Sequence, residues 1–332
     1  MNAPWLRHAF IVFALATSAL ASSPTRAGPY SALVVFGDSV SDNGNVALAV
    51  GAPGGVPQAV TGNTYIPDLP YAPSGTYSNG PVWVQQFASM LGLPAAPSLA
   101  GGTDFAWAGA RTGGADVPVP TLTTQASQFL GATGGVAPSS ALYVVAEVGN
   151  DARDALMAIA GGADPATTIQ HAATSYAADL DQIVGSLRQA GAQHFLVFDN
   201  MNLGLVPAVA ALGPDAAGLA STLTSTMNQA LEAELAGDPG VTLFDTYGFM
   251  TGIVTHPGDF GFSNATDACG AQVAADCSQY VFWDGLHPTA ATHALIADAA
   301  FAASVPEPQP LALLLAGTAG LIVMARRRAG RV

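Results

Sequence analysis

Ser39 stands just past the end of a hydrophobic run, in Phe36-Gly37-Asp38-Ser39-Val40-Ser41-Asp42-Asn43-Gly44-Asn45. About 245 residues later, Phe282-Trp283-Asp284-Gly285-Leu286-His287-Pro288-Thr289 sets an Asp and a His three positions apart, ahead of a stretch with helical spacing. A serine, an imidazole and a carboxylate are the minimum set for acyl transfer to and from serine: nucleophile, base and orienter. Three residues of separation at a helix entrance put Asp284 and His287 on one side of a turn. The carboxylate can then accept from one ring nitrogen, fixing the tautomer, while the other nitrogen faces Ser39. A Gly-x-Ser-x-Gly elbow is absent; Gly37 and Asp38 lead straight into the serine. Asp38 and Asp42 are four apart, whereas a calcium loop wants acids at alternate positions and a distal Glu, so this segment does not read as a calcium site.

The elements that must hold these residues are legible as apolar runs. Ala32–Phe36, Leu142–Val148, His194–Phe198 and Val241–Phe244 read as buried strands. Ala166–Ala190 carries Ile169, Ala173, Tyr176, Leu180, Ile183 and Leu187 on one helical face, and Gly191 stops it. Pro81–Leu91, with Pro at its first position, Leu219–Leu235 and Thr289–Phe301 read as further helices. Continuous apolar strands alternating with helices predict a parallel sheet covered on both faces, with ligands beyond the carboxyl ends of the strands. Ser39 follows the first strand and Asn150 the second, so both fall on that rim. The Gly/Pro-rich stretch from Ala49 to Pro81 reads as a long loop there, of the kind that is usually functional.

Four blocks, in order, resemble those of the SGNH (GDSL) hydrolases and span nearly all of the body. Phe36–Asn45 resembles the nucleophile block, with Val40 in place of the commoner leucine. Thr103-Asp104-Phe105-Ala106-Trp107-Ala108-Gly109-Ala110 resembles N-[FY]-A-x-G-G-A, with Asp104 for the Asn and Ala108 for the first Gly. Gly149-Asn150-Asp151 resembles G-x-N-D without its spacer, and Asp284-Gly285-Leu286-His287 matches D-x-x-H. The resemblance implies a flavodoxin-like three-layer α/β/α sandwich and a Ser39–His287–Asp284 triad. It also implies an oxyanion hole made by the Ser39 and Gly109 backbone N–H groups and the Asn150 amide. His171, His194, His256 and His293 have no companion motif and read as structural or surface residues. Trp83, Trp107 and Tyr77 read as core or pocket wall.

Both chain ends read as address labels rather than fold. Arg7 and His8, the apolar run Ala9–Ala16 and the small-residue sites ending at Ala21 or Ala27 make residues 1–27 a secretory signal peptide. At the other end stand Val305-Pro306-Glu307-Pro308, an uncharged stretch from Leu311 to Ala325, and Arg326-Arg327-Arg328. Fifteen residues give about 22 Å of helix, against a hydrocarbon core of about 30 Å. The order closely resembles the PEP-CTERM sorting signal of Gram-negative bacteria. It implies delivery to the outer surface or extracellular matrix, transient anchoring by residues 304–332, and handling by a tail-processing machinery.

The body, residues 28–303, is read as one hydrolase domain. It has no lysine and three arginines, Arg111, Arg153 and Arg188, against 22 acids, a net charge of about −19. Such a surface repels nucleic acid and anionic headgroups, so no nucleic-acid partner is expected. Cys269 and Cys277, close together in an exported body, are expected to form a disulfide. No His/Cys cluster calls for a metal and no cofactor is expected. The reading is thus an exported, monomeric serine esterase on small-molecule, lipid or acylated-saccharide esters. Its wording is nearer the lipase, lysophospholipase and arylesterase branch. The alternatives are an acetylesterase of extracellular polysaccharide and a non-catalytic matrix-associated protein that kept the fold.

Overall fold

The computed structural model describes residues 29–114, 118–273 and 275–305. The leader read at 1–27 and the tail from Pro306 onward lie outside them. Among the described residues no helix is long and apolar enough to cross a membrane.

Four apolar runs form the central sheet: β1 Leu33–Gly37, β2 Leu142–Ala146, β3 His194–Phe198 and β4 Val241–Phe244. They pair in the order β1-β2-β3-β4, all parallel, with Phe36 beside Val145, Val145 beside Val197 and Val197 beside Leu243. Successive strand side chains face opposite sides. Leu33, Val34, Val35 and Phe36 are all buried, so both faces of the sheet are covered.

The covering helices are α1 Asn45–Ala49, α2 Trp83–Leu91, α3 Leu122–Ala132, α4 Asn150–Ala160, α5 Pro165–Gln189, α6 Pro207–Ala210, α7 Pro214–Glu234, α8 Thr246–Thr255 and α9 Ala290–Ser304. They fall into two packed groups, α5 against α3, α4 and α7, and α2 against α9. The longest, α5, shows why such sequence folds so: Asp164 caps it by accepting from Thr167 N, Pro165 opens it, and Gly191 at φ +117° ends the run. Its apolar face buries Ala173, Tyr176, Leu180, Ile183 and Leu187; truncating such a leucine to Ala costs about 2–5 kcal/mol.

Several boundaries differ from the sequence reading, the largest being the helix read from Leu219, which starts at Pro214. The helix read from Pro81 starts at Trp83, because Val82 is still extended and the Gln85 side chain reaches back to its N–H. The strand read to Val148 ends at Ala146, where Glu147 turns the chain to cap α4. The helix read as Thr289–Phe301 runs to Ser304, whose carbonyl accepts from Tyr30, three residues past that reading and one past the domain end read at 303.

One pairing completes the sheet. Val35 N donates to Thr103 O at 3.0 Å and Phe105 N to Val35 O at 2.8 Å, so residues 103–105 flank the free side of β1 in parallel. Counted with that segment, the order is the flavodoxin-like 2-1-3-4-5, and the direction of winding reverses at β1. The switch point lies at the carboxyl end of β1, where Ser39 stands. A parallel pair, β5 Asn264–Ala268 and β6 Tyr280–Phe282, leads into the Asp284 turn.

Candidate active site

The serine, histidine and aspartate read from sequence meet. Ser39 Oγ lies 3.0 Å from His287 Nε2, and His287 Nδ1 lies 2.8 Å from Asp284 Oδ2 and 3.1 Å from Oδ1. Asp284 Oδ1 also accepts the backbone N–H groups of Leu286 and His287, each at 2.8 Å. The carboxylate thus clamps the turn that carries the imidazole. Trp283 N donates to His287 O at 2.8 Å, and Thr289 caps α9 by accepting from Thr292 N. His287 is held between the end of β6 and the start of α9. All three side chains are buried.

Around the serine, backbone groups are aimed by carboxylates. Asp38 Oδ1 accepts Val40 N at 2.9 Å and its Oδ2 accepts Val148 N at 3.0 Å, tying the Ser39 turn to the exit of β2. Asp42 accepts Gly44 N, Asn45 N and, through Oδ2, Ala108 N at 3.1 Å. Gly109 follows at φ +78°, the left-handed region that favours glycine, and Arg111 donates to its carbonyl. The N–H groups of Ser39 and Gly109 donate to no acceptor among the described residues. Asn150 opens α4, and its Nδ2 lies 3.0 Å from Ala110 O and 3.4 Å from Asp38 Oδ2. Burial pushes the Asp42 carboxyl up to about 6, and burial raises Asp38 as well.

Ser39, Gly109, Asn150 and His287 line one cleft of about 280 Å³. Tyr77, Ile66, Val119 and Leu286 supply its apolar wall, and Arg111, Arg153 and Asp68 its charged part. The site can therefore do one kind of chemistry well. His287 Nε2 can take the Ser39 proton. The Ser39 and Gly109 residues that carry unpaired backbone donors line the same cleft, where such donors can meet a charge developing on a carbonyl. Cys269 and Cys277 are joined as a disulfide, with Cα atoms 5.6 Å apart. Among the described residues no three His, Cys, Asp or Glu side chains converge as a metal site would.

Several supporting residues escaped the sequence reading. Tyr71 donates to Asp284 Oδ2 at 2.9 Å. Gln125 meets both backbone groups of Gly37, accepting from its N–H and donating to its carbonyl at 2.9 Å each. The buried Glu147 accepts Gly149 N at 3.0 Å, Asp151 N at 3.2 Å and Asn150 N, so it sets the start of α4. Burial, with Asp151 and Asp38 adding to it, holds the Glu147 carboxyl well above the ordinary range. His293 is a core residue whose Nδ1 accepts from Trp83 N, and burial lowers its pKa to about 3. Trp83 is core, while Tyr77 and the partly buried Trp107 pack in one small cluster near the cleft.

The stretch 49–81 is a strap laid across the Asp284 turn. Gly285 N donates to Tyr65 O at 2.8 Å, Ser78 Oγ to Pro288 O at 2.8 Å, and Ala290 N to Asn79 Oδ1 at 2.8 Å. A Cβ on Gly285 would stand 2.7 Å from Asn63 O and 2.8 Å from Tyr65 O, so the strap can seat only on glycine.

Comparison with known proteins gives the family. The family described as GDSL-like Lipase/Acylhydrolase matches residues 33–300. A GDSL esterase/lipase of Arabidopsis thaliana is 28% identical over 311 residues, covering 80% of this chain and 87% of that protein. The thermolabile hemolysin of Vibrio parahaemolyticus is 23% identical over 290 residues, covering 80% of this chain and 62% of that protein. Among solved structures, the lipase Lip_vut3 from a goat rumen metagenome aligns with a TM-score of 0.46 at 13% identity, covering 83% of this chain and 98% of that chain. With the family model spanning most of its length, the chain belongs to the GDSL-like lipase/acylhydrolase family and is a carboxylic ester hydrolase.

Proposed function

We propose that this protein is an exported serine esterase working through an acyl-enzyme, with Ser39 as nucleophile, His287 as general base and Asp284 as its orienter. The observation that carries the proposal is the continuous chain from Ser39 Oγ to His287 Nε2 at 3.0 Å and from His287 Nδ1 to Asp284 Oδ2 at 2.8 Å. Ser39 Oγ attacks the ester carbonyl as its proton passes to His287. The tetrahedral oxyanion is held by the Ser39 and Gly109 N–H groups and the Asn150 amide. His287 then protonates the leaving alcohol, and water, activated by the same imidazole, releases the acid. Asp284 holds the imidazole in orientation and stabilises the imidazolium.

The cleft of about 280 Å³ is at the small end for ligand sites, which supports a compact acyl group near the serine. The names of the relatives, esterase/lipase among them, support lipid-like or small-molecule esters. Residues 1–27 are proposed as the export leader and 304–332 as a PEP-CTERM-type tail that delivers the enzyme to the outer surface or matrix as a monomer.

Hydrolysis of p-nitrophenyl esters of increasing chain length by the purified protein, beside Ser39→Ala, tests the chemistry. Turnover undiminished in the variant would overturn the role of Ser39. Activity confined to acetyl esters would move the substrate to acylated polysaccharide, and no hydrolysis of any ester would favour a non-catalytic matrix protein. Mass spectrometry of the exported protein tests the ends, since a secreted chain still carrying Arg326 would contradict tail processing.

A further inference from the structure

Cations are scarce in this protein, and their placement is uneven. Three arginines and no lysine lie between residues 28 and 305, yet two of the three, Arg111 and Arg153, line the cleft that holds Ser39 and His287. The third, Arg188, pairs with Asp238 at 2.9 Å. A body of about −19 charge expels anions from nearly every other surface. The cleft is therefore where an anionic ligand can be held.

The two cleft arginines are not equivalent. Arg111 is spent on structure: its Nε and Nη2 each donate to Asp154 at 2.8 Å, and its Nη1 donates to Gly109 O at 2.6 Å. Arg153 makes no ion pair and no side-chain hydrogen bond among the described residues. It sits on α4 three residues after Asn150, and residues at that spacing share a helix face with Cβ atoms about 5–6 Å apart. Its guanidinium thus has the reach to meet a group a few bonds from a carbonyl placed at the Asn150 amide. A partly buried guanidinium is suited to bidentate binding of a carboxylate or phosphate. Asp68, on the same cleft wall, opposes an anion and sharpens the requirement that it lie against Arg153.

We propose that Arg153 is a specificity-determining residue that selects esters carrying an anionic group, a carboxylate or a phosphate, near the scissile carbonyl. This rests on the assignment of Ser39, Asn150 and His287 to the ester site above. The anion is bound in the ground state and in the tetrahedral intermediate alike, so its contribution falls on KM more than on kcat.

The test uses the full-length protein and matched pairs of esters. One pair is p-nitrophenyl hemisuccinate against p-nitrophenyl butyrate, which reads a carboxylate on the acyl side. The other is a 1-acylglycerol 3-phosphate against the corresponding monoacylglycerol, which reads a phosphate on the alcohol side. The ratio of kcat/KM, anionic over neutral, is expected to exceed one in at least one pair and to fall about tenfold or more in Arg153→Gln, chiefly through KM. Asp68→Asn is expected to move the same ratio upward. A ratio that stays within about twofold of wild type in Arg153→Gln overturns the proposal. If that variant fails to fold, Arg153→Met and the decline of the wild-type ratio with rising salt give the same reading. Ser39→Ala keeps the two assignments apart. Turnover surviving in it defeats the nucleophile assignment. Equal calorimetric affinity of that protein for both members of each pair defeats only the role of Arg153.

Discussion

The hydroxyl of Tyr71 donates to Asp284 Oδ2 at 2.9 Å, which ties the 49–81 strap to the carboxylate that orients His287. Tyr71 is buried, its ring meets Trp283 edge-on at 5.5 Å, and Asp284 is wholly enclosed. A carboxylate removed from water needs each lone pair satisfied. Leu286 N and His287 N serve Oδ1, while Tyr71 and the imidazole share Oδ2. Burial and the Asp284 charge both hold the Tyr71 phenol above its ordinary range, so it remains a donor.

Tyr71→Phe keeps the ring and removes that donor. A hydrogen bond to a charged group contributes about 1.5–3 kcal/mol, but the imidazole stays on the same oxygen, so the lower end applies. Steady-state kinetics should show kcat down about tenfold with KM little changed, because Tyr71 does not line the cleft. A fall in KM affinity alone, with kcat intact, would mean that the strap shapes the cleft rather than supports Asp284.

The parts of the site that sequence made legible are those with local spacing. Asp284 and His287 are three residues apart, and the hydroxyl of Ser39 follows a strand whose four apolar residues advertise burial on both faces. Tyr71 reaches Asp284 across 213 residues and Gln125 reaches Gly37 across 88. Such pairs have no period and no characteristic neighbour, so they become visible only when the chain is folded. The 103–105 segment escaped for a related reason. It pairs with β1 at a single position and carries the polar Thr103 and Asp104, so it lacks an apolar run. Asp104 also departs from the family's Asn. Its Oδ1 accepts from Ala106 N at 2.9 Å, and burial holds its carboxyl well above the ordinary range.

Gly109 separates backbone freedom from space. A Cβ there meets nothing closer than 4.0 Å, yet its φ is +78°. Gly109→Ala should therefore fold, with a conformational cost of about 1–2 kcal/mol in the left-handed region. Relaxation of the turn would swing the N–H away from a bound oxyanion, and loss of such a donor costs about 10²–10³ in kcat. Kinetics and thermal melting measured on one preparation check both halves. An unchanged kcat would remove Gly109 from the oxyanion hole. Asn150→Ala should behave differently, losing kcat on the same scale and also stability, since its amide donates to Ala110 O at 3.0 Å. Its longer 3.4 Å contact with Asp38 Oδ2 leaves the second hydrogen to be exchanged for an oxyanion.

The Cys269–Cys277 bond closes a ring spanning eight residues, for which loop entropy gives about 2.5 kcal/mol. It pins the segment whose Gly270 N donates to Trp283 O at 2.9 Å, one residue before Asp284. Replacing both cysteines by serine should lower Tm by several degrees while room-temperature turnover stays within about twofold. A loss of turnover without a loss of Tm would show that the ring positions Asp284 instead of stabilising the fold.

Stability should fall as pH rises, the reverse of a protein whose carboxylates are held by cations. Burial pushes Asp42 up to about 6, Asp151 up to about 6 and Asp199 up to about 7. Backbone donors such as Tyr247 N at 3.0 Å from Asp199 Oδ1 offset this only in part. Each group keeps its proton to a higher pH when folded than when unfolded, where aspartate titrates near 3.9. Between about pH 4 and 7 these three carboxyls bind more protons in the folded chain. They outweigh the single His293, which burial keeps neutral and which acts in the opposite direction below about 6.5. Unfolding free energy therefore declines across that window. The charge of about −19 that remains acts in the same direction by self-repulsion. Denaturant titrations at intervals from pH 4.5 to 8 check the slope, and Asp199→Asn, which keeps an acceptor for Tyr247 N but cannot ionise, should flatten its upper part. A rising or level profile in wild type would mean that these carboxylates are better solvated than their burial implies.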